Sequence, residues 1–140
     1  MKEKMKKVLL LLLTVIAVSS CSVDNDLPDY HYEVLPVESF TVPSSFRMGG
    51  LYEIKIRYKR PTDCHFLDGI YYDKIGNTRT IGVQTTVLER SYCLALDEVT
   101  VETSFLFECT GGEKYIFKFY KGADENGNYI FESVEIPVNY

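Results

Sequence analysis

The chain is expected to fold as an all-β, antiparallel β-sandwich of Ig-like layout with about seven or eight strands. Three observations carry this expectation. Apolar residues recur with period two, most clearly in "LYEIKIRYKR". Clusters of Gly, Pro, Asn and Asp punctuate these runs at intervals of about 8–12 residues. No stretch beyond Cys21 makes a convincing helix. "Ig-like" describes layout alone, because a chain with no Trp lacks the Cys…Trp…Cys pattern of antibody domains. A small β-barrel is the alternative closure.

The elements follow in order. "YHYEVLPVESFTV" reads as a strand interrupted by Pro36. Proline cannot donate to a ladder, so an edge strand that changes partner is expected there. "VPSSFRMGG" reads as a turn. In "LYEIKIRYKR", Tyr52, Ile54, Ile56 and Tyr58 share one face, and Glu53, Lys55, Arg57 and Lys59 the other. That is a half-buried strand with a wet side of alternating charge. "HFLDGIYYDKIGNTRTIGVQTTVLER" reads as two strands joined near Gly76-Asn77. In "EVTVETSFLFEC", Val99, Val101, Thr103, Phe105 and Phe107 share a face, and Cys109 continues its phase. "TGGEK" is a turn, and "YIFKFYK" turns Tyr115, Phe117 and Phe119 inward. "GADENGN" is a loop before the closing strand "YIFESVEIPV". Phe131 and Val134 cannot share a face there without a slip, so a bulge is expected near Glu132-Ser133.

The first 20 residues differ from the rest. Lys2, Lys4, Lys6 and Lys7 precede an apolar run, Val8 to Val18, broken only by Thr14. Ser19 and Ser20 follow. This is the layout of a secretory signal, and the run is shorter than the roughly 20 residues of a membrane-spanning helix. The domains are therefore expected to be a signal helix over 1–20, an acidic tether over 21–29 and one sandwich over 30–140. With one Glu against four Lys, residues 1–20 carry +3, so the remainder carries about −8 rather than −5. An acidic domain is a poor nucleic-acid binder, because phosphate neutralisation needs clustered Lys and Arg. All 11 Tyr and 8 Phe lie beyond Cys21, enough to fill one core.

Val18-Ser19-Ser20-Cys21 resembles the lipobox of bacterial lipoproteins: an aliphatic residue, two small residues and Cys. The resemblance implies lipidation of Cys21 and cleavage before it. Two or more acyl chains give stable anchoring where one does not. The acidic "SVDND" after Cys21 resembles the surface-export signal of Bacteroidota lipoproteins. The layout as a whole is similar to that of small lipoproteins of that group. It implies attachment to the outer membrane through the lipid, with display at the cell surface expected and a periplasm-facing orientation the alternative.

Cys64, Cys93 and Cys109 then remain, in a compartment that permits disulfides. Cys109 continues an inward face and reads as a small buried hydrophobe. Cys64 and Cys93 flank one hairpin whose strands run out and back, so Cys64–Cys93 is the expected bridge. Cys64-His65 lacks the paired spacing of a zinc site, and adjacency does not aim His65 at Cys64. No metal or other cofactor is expected. "DENGNYIFE" alternates oxygen side chains but misplaces the Gly and Glu of a calcium loop, so it reads as a hairpin loop. Tyr71, Tyr72 and Tyr120, with Tyr129, are candidate ligand contacts that could stack on sugars. The expected role is a non-enzymatic binding or structural module of the cell envelope with a protein or glycan partner. A small envelope hydrolase with an unrecognised site is the alternative.

Overall fold

The computed structural model describes residues 1–7, 27–97 and 99–140. The apolar run Val8–Val18, the Cys21 processing point and the acidic residues Asp24 and Asp26 lie outside the described residues. Residues 2–7 are helical and exposed. Among the described residues, no helix is long and apolar enough to cross a membrane.

The expected sandwich is formed, with nine strands among the described residues. They are β1 (Tyr30–Leu35), β2 (Ser39–Thr41), β3 (Phe46–Arg47), β4 (Leu51–Lys59), β5 (His65–Ile75), β6 (Thr78–Leu88), β7 (Thr100–Glu108), β8 (Lys114–Ala123) and β9 (Tyr129–Asn139). The smaller sheet has the order β2-β4-β7. In the larger sheet β5 pairs with one side of β6, and the order continues through β8 and β9 to β3. Most pairings are antiparallel, whereas β6–β8 and β3–β9 are parallel. Parallel neighbours need a crossover. For β6 and β8 the chain makes it by passing through β7 of the other sheet.

Pro36 does what its chemistry suggests. β1 before it pairs with β6 of the larger sheet, and β2 after it pairs with β4 of the smaller one. The Val37 N–H closes the switch on the Tyr120 carbonyl at 2.7 Å. β4 and β7 alternate as expected: Ile54, Ile56, Tyr58 and Phe107 are buried, and their neighbours are exposed. The wet face of β4 carries Arg57–Glu102 at 2.9 Å and Lys59–Glu38 at 3.5 Å. Such exposed pairs contribute little to stability.

The core is aromatic. Phe46 lies within 6 Å of the rings of Tyr52, Phe107, Tyr115 and Phe117. Phe40 stacks on Phe119 across the sandwich, with centroids 3.8 Å apart and planes at 10°. β3 is only two residues long, too short to show a period, and lies inside the expected turn. Its fully buried Phe46 is what fastens it.

The bulge expected at Glu132-Ser133 is not there. β9 runs in register past Glu132↔Phe119 and Ser133↔Lys118, and the irregularity falls on β8 between Tyr120 and Gly122. Without a slip in β9, Val134, Ile136 and Val138 face inward while Phe131 faces outward opposite Tyr120.

One residue organises the larger sheet. The same side of β6 pairs with β8 from Thr78 to Ile81 and with β1 from Val83 to Leu88. Gly82 is the position between. A Cβ built on it would stand 2.6 Å from Val34 Cγ1, 3.6 Å from Tyr71 Cβ and 3.7 Å from Tyr120 Cβ. Gly82→Ala is therefore expected to lower stability by about 1–3 kcal/mol, the usual cost of overpacking. Adding Val34→Ala should recover part of the loss, because it removes the clashing methyl. Urea denaturation of both variants measures this. An unchanged midpoint in Gly82→Ala would show that the glycine is dispensable.

Candidate functional site

Alternation should leave the outer face of the larger sheet polar. Around Gly82 it is aromatic instead. Tyr32 and Val34 of β1, Tyr71 of β5, Tyr120 of β8, and Tyr129 and Phe131 of β9 surround a groove of about 410 Å3, with Thr80 and Glu33 completing its lining. Tyr129 is 72% exposed and Tyr32 62%, so much of this aromatic surface meets solvent. The rings do not form a flat platform. Tyr120 and Tyr129 meet edge to face at 5.7 Å and 88°, and Tyr120 and Phe131 are tilted at 56°. Edge-to-face rings make walls and notches. The coplanar tyrosines that a sugar-stacking surface calls for are not found in these pairs.

The rim is polar. Lys118 Nζ lies 4.6 Å from the Phe131 ring centroid, a cation–π contact. Gln84 Nε2 donates to Asp68 Oδ2 at 2.8 Å. Tyr30, beside Tyr32 and hydrogen-bonded to it, holds the Tyr32 phenol above its ordinary value. Among the described residues, the hydroxyls of Tyr71, Tyr120 and Tyr129 have no hydrogen-bond partner. Phenols of this kind present an apolar body and a free polar tip.

Three of the four candidate tyrosines of the sequence, Tyr71, Tyr120 and Tyr129, belong to this groove. Tyr72 does not. It follows Tyr71 in a strand, pairs opposite the inward Ile81, and packs on Phe105 at 6.0 Å and 75°. Burial raises its phenol pKa, and Arg79 acts in the opposite direction. Arg79 is itself buried. It donates to the Gly76 and Thr78 carbonyls and lies over the Tyr115 ring at 5.1 Å, while its Nε has no partner. Tyr32 and Phe131 escaped the sequence reading. Tyr32 sits in a strand expected only as an edge, and the bulge expected near Glu132-Ser133 would have placed Phe131 on the face of Val134.

Cys64 and Cys93 form the expected disulfide, with Cα atoms 5.7 Å apart, and Cys109 is a buried free thiol. Asp63, Cys64 and Cys93 gather ligand-type atoms within 4.8 Å. The two sulfurs are bonded to each other, and Asp63 Oδ1 accepts the Leu94 N–H at 2.8 Å. Neither cysteine is free to act as a thiolate ligand or nucleophile. His65 is buried beside the bridge. Its Nδ1 meets Thr62 Oγ1 at 2.8 Å and its Nε2 meets Glu33 Oε2 at 3.0 Å. A hydroxyl, an imidazole and a carboxylate in a row suggest nucleophile activation. Here the Thr62 hydroxyl also accepts the Cys64 N–H at 3.2 Å, so the row braces the turn that carries the disulfide.

The "DENGN" segment is a self-satisfied loop. Asp124 Oδ1 accepts the N–H groups of Asn126 and Asn128, and Oδ2 accepts the Asn128 side-chain amide at 3.1 Å. Donors occupy the places where a cation would sit. Family models, curated proteins and solved structures were compared with the chain, and none matches.

The bridge closes a loop 29 residues apart in sequence, so Cys64→Ser/Cys93→Ser should lose about 3.5 kcal/mol of stability by chain entropy, read from denaturant midpoints. The hydrogen bonds from Asn128 and its neighbours hold the Asp124 carboxyl below its ordinary value. A depressed folded pKa stabilises the loop above the unfolded Asp value, about 4, and that support is lost as pH falls through the folded value. Protection of the Asn126 and Asn128 amides, taken relative to intrinsic exchange, should fall over that acid range in the native protein and lose the pH step in Asp124→Asn.

Proposed function

We propose that this chain is a lipid-anchored envelope protein whose sandwich holds a partner in the aromatic groove, without catalysing a reaction. The observation that carries the binding role is the outer face of the larger sheet. A face that alternation should make polar instead gathers Tyr32, Val34, Tyr71, Tyr120, Tyr129 and Phe131 around one groove. Exposed apolar patches of this kind mark binding surfaces. The anchoring role is supported by the leader and by Val18-Ser19-Ser20-Cys21, read as a signal and a lipobox. Diacylglycerol on Cys21 would hold an acidic domain at an envelope surface that would otherwise repel it. The acidic residues after Cys21 favour display at the cell surface.

Both halves are testable in the producing cell. The mature protein should begin at Cys21 and carry lipid, and Cys21→Ser should lose the lipid mass; a mature N-terminus elsewhere would end the anchoring claim. A photo-crosslinking side chain at Tyr129 should capture an envelope component. The same probe at Tyr92, 76% exposed and outside the groove lining, should not. Equal capture at both positions, or none at either, would remove the groove as the binding site.

A further inference from the structure

We infer that the groove receives an extended polypeptide segment, added as a further strand along the free edge of β1. This rests on the groove being the binding site and names the chemistry of its occupant.

β1 pairs with β6 alone. In a strand, alternate residues turn their N–H and C=O groups to opposite edges, so half of the β1 backbone points away from β6. Among the described residues, no strand pairs with that second edge. The chain rejoins β8 only beyond β1, where Val37 N–H meets the Tyr120 carbonyl. From that point β1 and the β8–β9 hairpin diverge, and the aromatic groove opens between them. Glu33 helps to line it although its carboxylate reaches His65 on the other face.

The other long edges of the larger sheet are guarded. β5 carries an irregularity at Asp68, between Leu67 and Gly69, and a bulge with a charge is a device that blocks strand addition. β9, which the two-residue β3 covers only at Val138 and Asn139, carries Glu132, Glu135 and Pro137 along the rest of its edge, and charges and proline on an edge act in the same way. β1 is uninterrupted: its register with β6 is unbroken from Tyr30 to Leu35. An open ladder edge next to side-chain notches is the combination that strand-adding recognition uses, with main-chain bonds for affinity and pockets for alternate side chains. A glycan would leave the ladder groups unmatched. The edge-to-face rings suit bulky apolar side chains at every second position of the added strand. The acidic chain as a whole favours basic residues between them.

The test pans a phage-displayed library of random dodecapeptides against the full chain. Selected peptides should carry bulky apolar residues at alternate positions. Their synthetic copies should slow amide exchange along β1. N-methylation of alternate amides on one edge of the peptide should weaken binding at least tenfold, and on the other edge little. Tyr129→Ser should weaken it similarly with an unchanged unfolding midpoint, while Leu106→Ser, exposed on β7, should not. Absence of any enriched peptide, insensitivity to N-methylation, or unchanged β1 exchange overturns the inference. If an oligosaccharide array yields a ligand that Tyr129→Ser abolishes and the peptides do not bind, the strand-addition inference falls while the groove stands. If ligands are found and none responds to Tyr129→Ser, both fall.

Discussion

The structure depends on the division of one strand edge. β6 offers a single side to two partners, and neither can extend past Gly82. β8 approaches in parallel from below it and β1 in antiparallel from above. Two strands meeting end-on against a third cannot both stay in plane, so one has to leave. β1 does so at Pro36, where the missing N–H costs nothing at an edge. Its continuation becomes β2 of the opposite sheet. The same event opens the outer face, because β1 and the β8–β9 hairpin part where they cease to share β6. Gly82 allows the close approach: any side chain there would meet Val34 at 2.6 Å. The sheet switch, the groove and the missing side chain are therefore one constraint seen from three sides.

The two outer faces of the sandwich are consequently unlike. The smaller sheet shows the solvent Glu53, Lys55, Arg57 and Lys59, partly paired with acidic neighbours. The larger sheet shows it phenols and Phe131. Nothing in core packing requires this difference, since the interior is already filled by Phe46, Phe107, Phe117 and Phe119. The buried Arg79 belongs to the packing side of this division: carbonyls at the Gly76 turn and the Tyr115 ring face receive its charge. Aromatic area beyond what the core uses, placed on a wet face, is surface available for recognition.

Legibility in the sequence followed how local each determinant was. β4 and β7 were readable because alternation over nine residues has one consistent solution. Gly76-Asn77 marked its hairpin because a two-residue loop needs positive φ, and Gly76 has 58°. Pro36 marked the sheet switch through its missing donor. The disulfide followed from a hairpin that returns its ends. What escaped was non-local. β3 is two residues in parallel with β9, too short to have a period. The face of Phe131 turned on register: a bulge assumed in β9 lies in β8 instead, and one residue of slip reverses a side chain. Tyr71 and Tyr72 were both singled out, although neighbours in a strand cannot share a site. Gly82 had no signature at all, since its role is to make room for residues distant in sequence.

The order of elements bears on how the proposed anchor and groove would work together. Cys21 precedes β1 by nine residues, which span at most about 32 Å when fully extended. Lipid on Cys21 would therefore confine β1 to that distance from the bilayer. β1 is also the strand whose free edge borders the groove, so a bound segment and the anchor would act on the same element. Load on the tether would pass first into the β1–β6 ladder, beginning at the Tyr30↔Leu88 pair. Glu89 N–H to the Asp29 carbonyl, at 2.7 Å, extends that ladder towards the tether. Just beyond, the disulfide and the Thr62–His65–Glu33 row tie β1, β5 and the end of β6 together. The bracing sits where such a load would enter the sandwich. With Cys21 as the anchor, that location would give the buried imidazole and the bridge a mechanical role.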